Sequence, residues 1–168
     1  MGKVTGEMNQ EKERLVDFSL AVRESTLKRL RSIPPGFENW QISENSMSVS
    51  EIVHHLIEAD LWLFQKVKIK NLEPIVGEKG KINVSNRMDY LQLIDKLIDT
   101  GRKRTKWIQN MDENDLQEMI YDKRFGKEVT VWWLLLRGNL DHEIHHRGQL
   151  AAYLRVIKDV KDSEKMYR

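Results

Sequence analysis

Apolar side chains recur at three- and four-residue intervals along four long stretches of this chain, and segments bearing proline or glycine separate them. That spacing lays an apolar stripe along an α-helix, and a helix with one stripe must bury it against a neighbour. The first stretch runs from about Glu7 to Arg31, with Met8, Leu15, Phe18, Val22 and Leu30 as its expected buried row. Pro34-Pro35-Gly36 ends it, because proline lacks the donor that continues the ladder and disfavours helix in the residue before it. Phe37 to Met47 is a connector. The second stretch opens at Ser48-Val49-Ser50-Glu51, where a hydroxyl followed three residues on by a glutamate fits a capping box, and it reaches about Lys70. Asn71 to Ser85 carries Pro74, Gly77 and Gly80 and reads as a loop. The third stretch spans roughly Asn86 to Asn110, with Leu91, Ile94, Ile98 and Ile108 as its expected buried row. Met111 to Glu128 is mixed, and Tyr121 to Val129 reads as a short hairpin or a loop. The fourth runs from about Thr130 to Lys158, and the polar residues 159–168 are expected to fray. Four such helices predict an all-α four-helix bundle, built as a single domain over residues 1–168.

The five histidines of the chain fall in two short clusters, His54-His55 and His142-Glu143-Ile144-His145-His146, and residues 56–141 contain none. With an advance of ~100° per helical residue, His146 lies ~40° from His142 and one turn along, on the same face. Leu135, Leu150, Tyr153 and Ile157 fall within ~80° of His142, so the pair interrupts a core-facing stripe. His145 lies ~60° to the other side. On the second helix the core row is Val49, Ile52, Leu56, Leu63 and Val67; His55 stands at its edge and His54 nearly opposite its centre. Imidazole is the commonest metal ligand, and two imidazoles at i, i+4 present themselves to one ion. A lone core histidine is more often a hydrogen-bonded packing residue. Three on facing stripes each need a buried partner, which one cation supplies. His55, His142 and His146 are therefore the candidate metal ligands, and His54 is expected to face solvent. Glu51-Ile52-Val53-His54 and Glu143-Ile144-His145-His146 also contain the Glu-x-x-His of di-iron bundles. That site needs a glutamate from each remaining helix, however, and Asn86 to Asn110 has none.

The absence of cysteine removes disulfides, thiolate metal sites and a cysteine nucleophile together. Met1 to Gln10 has no apolar stretch like a signal peptide, and no run approaches the ~18 apolar residues of a membrane span, so a cytoplasmic protein is expected. A net charge of +2 gives no pull toward nucleic acid, and no nucleic-acid motif is visible. Arg102-Lys103-Arg104 with Lys106 is expected to be a solvated helix end. Trp133, Leu136, Leu140, Ile144, Ala151 and Leu154 form a second apolar row on the fourth helix, to be covered by the first helix, the connector or a second subunit, and a homodimer is expected.

Asp141-His142-Glu143-Ile144-His145-His146-Arg147-Gly148-Gln149-Leu150, followed by Tyr153-Leu154-Arg155, resembles the C-terminal His-x-x-x-His-Arg-Gly-Gln signature of the DinB family, among the DinB/YfiT-like metalloenzymes. Ser48-Val49-Ser50-Glu51-Ile52-Val53-His54-His55-Leu56 resembles the family's other motif, a Ser-Val start with the metal histidine seven residues on. That register selects His55, in agreement with the helical phase. The resemblance runs from the first helix to about Ile157. It implies a four-helix bundle, often homodimeric, with a divalent metal on His55, His142 and His146. It also implies a spread of activities, including thiol S-transfer with bacillithiol, mycothiol or glutathione and a mycothiol-dependent isomerisation. Zinc or nickel is the expected metal, with iron and cobalt also suited to three imidazoles. Arg147 and Gln149, which match the signature, are candidates to orient a ligand or pair with a carboxylate. Three protein ligands leave open positions on the ion. A thiol S-transferase taking a small-molecule thiol and an electrophile is the leading reading; a metal-dependent hydrolase and a non-enzymatic metal-binding bundle are the alternatives. Either chemistry needs a proton acceptor, for which Glu51 and Glu143 are the candidates.

Overall fold

The computed structural model describes the backbone of residues 2–77 and 79–166, and the side chains of residues 10–77 and 79–162. Its long helices are α1 (Gly2–Arg31), α2 (Val49–Ile69) and α3 (Arg87–Asn110). A short helix α4 (Glu113–Gln117) and a hairpin of β1 (Met119–Asp122) and β2 (Lys127–Thr130) follow. The last rod is built from α5 (Val131–Trp133), a π-helical stretch Leu134–Leu140 and α6 (Asp141–Met166), joined without a break. The fold is all-α but for the hairpin, whose strands pair antiparallel from Met119 opposite Thr130 to Asp122 opposite Lys127. The turn closes on Gly126, at φ +65°, a conformation that glycine enters without a Cβ penalty.

Two apolar clusters stack along the bundle. One joins Leu27 and Leu30 of α1, Val49 to Ile57 of α2, Tyr90 to Leu97 of α3, and Leu150 to Ile157 of α6. The other joins Leu15, Val16, Trp62, Leu63, Ile108, Val129, Leu134, Leu135 and Leu140. The order in which each helix meets the two clusters gives its direction: α1 and α6 run one way, α2 and α3 the other. Residues 70–86 must therefore travel back along the full length of α2 before α3 can start, and they do so in contact with it. Lys66 Nζ donates to Leu72 O at 3.0 Å, Trp62 Nε1 donates to Glu73 O at 2.6 Å, and Gly80 N donates to Glu51 Oε1. Lys66 also donates to Lys70 O at 2.6 Å, which satisfies a carbonyl that the end of α2 leaves free. At the start of α2 the capping box is complete: Glu51 N donates to Ser48 Oγ at 3.2 Å and Ser48 N to Glu51 Oε2 at 2.7 Å.

The hairpin is pinned to the bundle by Arg124. Its guanidinium lies 4.2 Å from the Trp62 ring centroid, donates to Asp122 through Nε at 3.0 Å and Nη2 at 2.7 Å, and donates to Gly138 O at 3.1 Å. A Cβ at Gly138 would fall 2.7 Å from Arg124 Nη2 and 3.1 Å from Leu134 Cδ1, so a larger residue here must displace the guanidinium.

Several expectations need correction. Phe18 is 45% exposed, because the core-facing phase of α1 belongs to Ser19, Val22, Arg23 and Thr26, which are buried. Met8 lies outside the described side chains. On α3 the buried row is Tyr90, Leu93, Ile94, Leu97, Thr100, Gly101, Arg104 and Ile108, while Leu91 is 38% exposed and Ile98 half-buried. Arg104, expected in solvent, is 0% exposed. The last helix continues past Lys158 to Met166. In the second apolar row of this rod Leu140 is fully buried and Trp133 exposed. The π turn is responsible: Asp141 N reaches back to Leu136 O, and the wider turn resets the phase on either side of it.

Candidate metal centre

His55 sits two turns into α2, and His142 and His146 sit one turn apart at the start of α6. His142 Nε2 lies 3.0 Å from His55 Nε2 and 3.0 Å from His146 Nε2. The rings stand nearly perpendicular to one another, at interplanar angles of 79° to 88°. The ligand nitrogens of the three rings all lie within 4.8 Å of one another. His55 and His146 are buried and His142 is half-buried.

The protonation pattern follows from these contacts. His146 Nδ1 is 2.7 Å from Gln149 Oε1, and Gln149 Nε2 is 3.2 Å from His145 Nε2. An amide NH2 only donates, so Gln149 donates to His145 and accepts the Nδ1 proton of His146. That leaves the lone pair of His146 on Nε2, facing the centre. Burial, reinforced by the neighbouring His146 and His55, pushes His142 down to about 3. Burial likewise pushes His146 down to about 4 and lowers His55. All three rings are neutral near pH 7. With the His146 proton on Nδ1, His142 Nε2 can donate to His146 or accept from His55 but not both, so one of its two 3.0 Å contacts has no bridging proton. A cation at the centre resolves this. Two nitrogens bound at ~2.05 Å stand ~2.9 Å apart at right angles and ~3.4 Å apart at the tetrahedral angle, a range that includes the observed 3.0 Å. The donors are all nitrogen, which suits zinc, nickel, iron or cobalt and not calcium or magnesium.

The returning loop closes over the far side of His55. A Cβ at Gly77 would lie 3.1 Å from Met47 Sδ and 3.6 Å from His55 Nδ1. His55 Nδ1 is buried with no hydrogen-bond partner among the described residues. A cavity of about 240 Å³ opens beside this ring, lined by Glu51, His54, His55, Glu58, Lys81 and Ile82. His54 is half-exposed and lies 3.4 Å from Glu58 through its Nδ1.

The two glutamates considered as proton acceptors have other partners. Glu51 spends one oxygen on Ser48 N and the other on Gly80 N, so it ties the cap of α2 to the returning loop. Glu143 is 1% exposed, and its Oε2 accepts from Arg23 Nη2 at 3.0 Å and Arg104 Nη1 at 2.9 Å. Gln149 has the positioning role just described, and Arg147 is half-buried on α6.

Sequence reasoning passed over the cluster that receives Glu143. Arg23 Nη2 and Arg104 Nη1 also donate to Asp60, at 2.7 and 2.9 Å. Arg104 further reaches Ser19 Oγ and Asn139 Oδ1, each at 2.9 Å. Burial pushes Asp60 up, but Arg104 and Arg23 outweigh it and hold the carboxyl below its ordinary value. Arg23 Nε and Glu143 Oε1 are buried without a partner among the described residues. A signal was present: Arg104 is three residues from Gly101 and four from Ile108, and Asp60 is four from Leu56, all on core-facing phases.

Among known proteins, the chain is similar to an uncharacterised protein, YjoA of Bacillus subtilis (strain 168), with 26% identity over 143 residues, 84% of this chain and 87% of YjoA. The fold matches the 2.30 Å crystal structure of that DinB-like protein, with a TM-score of 0.64, 23% identity, and coverage of 86% of this chain and 92% of the other. The model of the DinB family matches residues 8–157, which include both histidine clusters. The chain belongs to the DinB family.

Proposed function

We propose that the protein is a divalent-metal-dependent S-transferase that joins a low-molecular-weight thiol of the bacillithiol or glutathione type to an electrophilic small molecule. The observation that carries the metal site is the convergence of three neutral Nε2 atoms, with His142 3.0 Å from each of the other two. His55, His142 and His146 hold the ion, zinc or nickel by donor type and iron less readily, and Gln149 keeps His146 in its binding tautomer. When bound, such an ion supplies Lewis acidity that ionises a coordinated thiol or water near neutral pH. With no cysteine in the chain, the reacting sulfur comes from the cosubstrate. Lys81, beside His55 in the 240 Å³ cavity, offers a cation for a thiol's carboxylate. Among the described residues no helix is long and apolar enough to cross a membrane, and we place the protein in the cytoplasm. We read residues 1–168 as one domain acting as a homodimer, without nucleic acid; a single 20 kDa species in sedimentation at micromolar concentration contradicts the dimer.

Metal analysis of protein purified without added metal tests the first step. About one divalent ion per chain is expected, with His142→Ala losing it. Bacillithiol or glutathione with monobromobimane then tests the second. Thiol consumption that requires the metal supports the transferase. Ester hydrolysis without thiol assigns a hydrolase instead, and stoichiometric metal without turnover in either assay assigns a binding protein.

A further inference from the structure

Between the two apolar clusters each long helix contributes one charged residue to a shared buried site. These are Arg23 on α1, Asp60 on α2, Arg104 on α3 and Glu143 on α6, all between 0% and 5% exposed. The acids stand on the two helices that carry the histidines: Asp60 is five residues beyond His55, and Glu143 follows His142 directly. The arginines stand on the two helices that carry none. Each guanidinium bridges both acids. Arg23 Nη2 is 2.7 Å from Asp60 and 3.0 Å from Glu143; Arg104 Nη1 is 2.9 Å from each.

We propose that this tetrad is the positioning frame of the metal centre, so that Arg23 and Arg104 set the separation of His55 from the His142–His146 pair. The proposal rests on the metal reading above. α2 and α6 meet each other over a short stretch only, whereas α3 packs along α2, α1 packs along α6, and α1 and α3 pack along each other. The register of one ligand helix against the other is therefore passed through α1 and α3. Apolar packing alone tolerates sliding, because it is non-directional. Charge-assisted hydrogen bonds are directional and, in a low-dielectric layer, costly to leave unmade. A displacement of α2 along α6 that parts His55 from His142 also parts Asp60 from Glu143, and strips both arginines of one acid. A neutral apolar layer at this level would match or exceed the stability of two buried ion pairs. What it lacks is a single register, and a three-ligand site needs one. The frame touches no reactant: Glu143 is one residue from a ligand, yet its carboxylate lies among the arginines.

The test is a cobalt(II) titration of the apo-protein and of Arg104→Met, Arg104→Lys and Glu143→Gln. It is followed by visible d–d absorption well below each variant's melting temperature, with helicity checked by circular dichroism. Arg104→Met is expected to weaken cobalt roughly 10–100-fold, as loss of a supporting partner does at other metal sites, and to change the d–d bands. Arg104→Lys, which restores the charge, is expected to recover most of the affinity and the wild-type spectrum. If Arg104→Met does not fold, Glu143→Gln decides, through the same weakening and spectral change. Cobalt affinity within twofold of wild type and an unchanged spectrum in the folded variant, with only the melting temperature lowered, overturns the frame and leaves the metal site standing. Wild-type protein that binds no cobalt overturns both.

Discussion

Replacing Asp60 by asparagine removes the acid that two buried guanidinium groups share, at 2.7 Å from Arg23 and 2.9 Å from Arg104. Side-chain volume is kept, so no cavity opens and the loss is electrostatic. Glu143 then faces two arginines alone in a layer that solvent does not reach: Arg104 and Asp60 side chains are 1% exposed, and Arg23 is 6%. An exposed ion pair is worth ~0–1 kcal/mol, whereas removing one partner of a buried pair costs ~3–5 kcal/mol. At ~2–4 °C per kcal/mol for a chain of this size, the melting temperature should fall by ~6–20 °C. Urea unfolding at pH 7 followed at 222 nm, with calorimetry, measures it. A loss under about 1 kcal/mol, the exposed-pair value, refutes the claim that the layer is dry. The sign with pH is a second arm. Burial alone would raise the Asp60 pKa, but Arg104 and Arg23 hold it below the ordinary value. A carboxyl with a depressed folded pKa contributes stability above its unfolded pKa of ~3.9 and loses it as pH falls through the folded value. The gap between wild type and Asp60→Asn should therefore be constant from pH 7 to 5 and narrow below pH ~4. A gap that widens on acidification contradicts the assignment.

Gln149→Ala frees Nδ1 of His146, and metal affinity measured by chelator competition should drop roughly 10–100-fold. Added zinc at a hundredfold over its dissociation constant should stabilise the wild type by ~2.7 kcal/mol, with EDTA reversing the shift and His146→Ala showing none. Gly138→Ala drives a Cβ to 2.7 Å from Arg124 Nη2, an overpacking worth ~1–3 kcal/mol. Differential scanning fluorimetry should show the loss shrinking when Arg124→Ala is combined with it. Ser48→Ala removes the side-chain half of the α2 cap and should cost ~1 kcal/mol in the same assay.

Much of the site was legible before any coordinates. Helical phase alone put His142 and His146 on one stripe and His55 rather than His54 toward it, because a ~100° advance per residue leaves little freedom in which side chains share a face. The capping box at Ser48 and Glu51 was equally local, since it needs only residues three apart. The ionic layer was not read, although its phases were available. A polar residue on a core-facing phase is ordinarily discounted, and whether Arg104 finds Asp60 and Glu143 depends on residues 44 and 39 positions away. The partners of Glu143 lay out of reach for the same reason: next to His142 in sequence, it meets Arg23 of α1 and Arg104 of α3 in space.

Local periodicity thus determines the four helices, their caps and the histidines that can face inward, since each is a relation between residues within two turns. Which helices run parallel, how residues 70–86 lie along α2 and over His55, where the π turn resets the phase of the last rod, and what holds its two ligands against His55 belong to the tertiary structure alone. These depend on which buried charges can find partners at once, and pairing across four helices is a property no single segment contains.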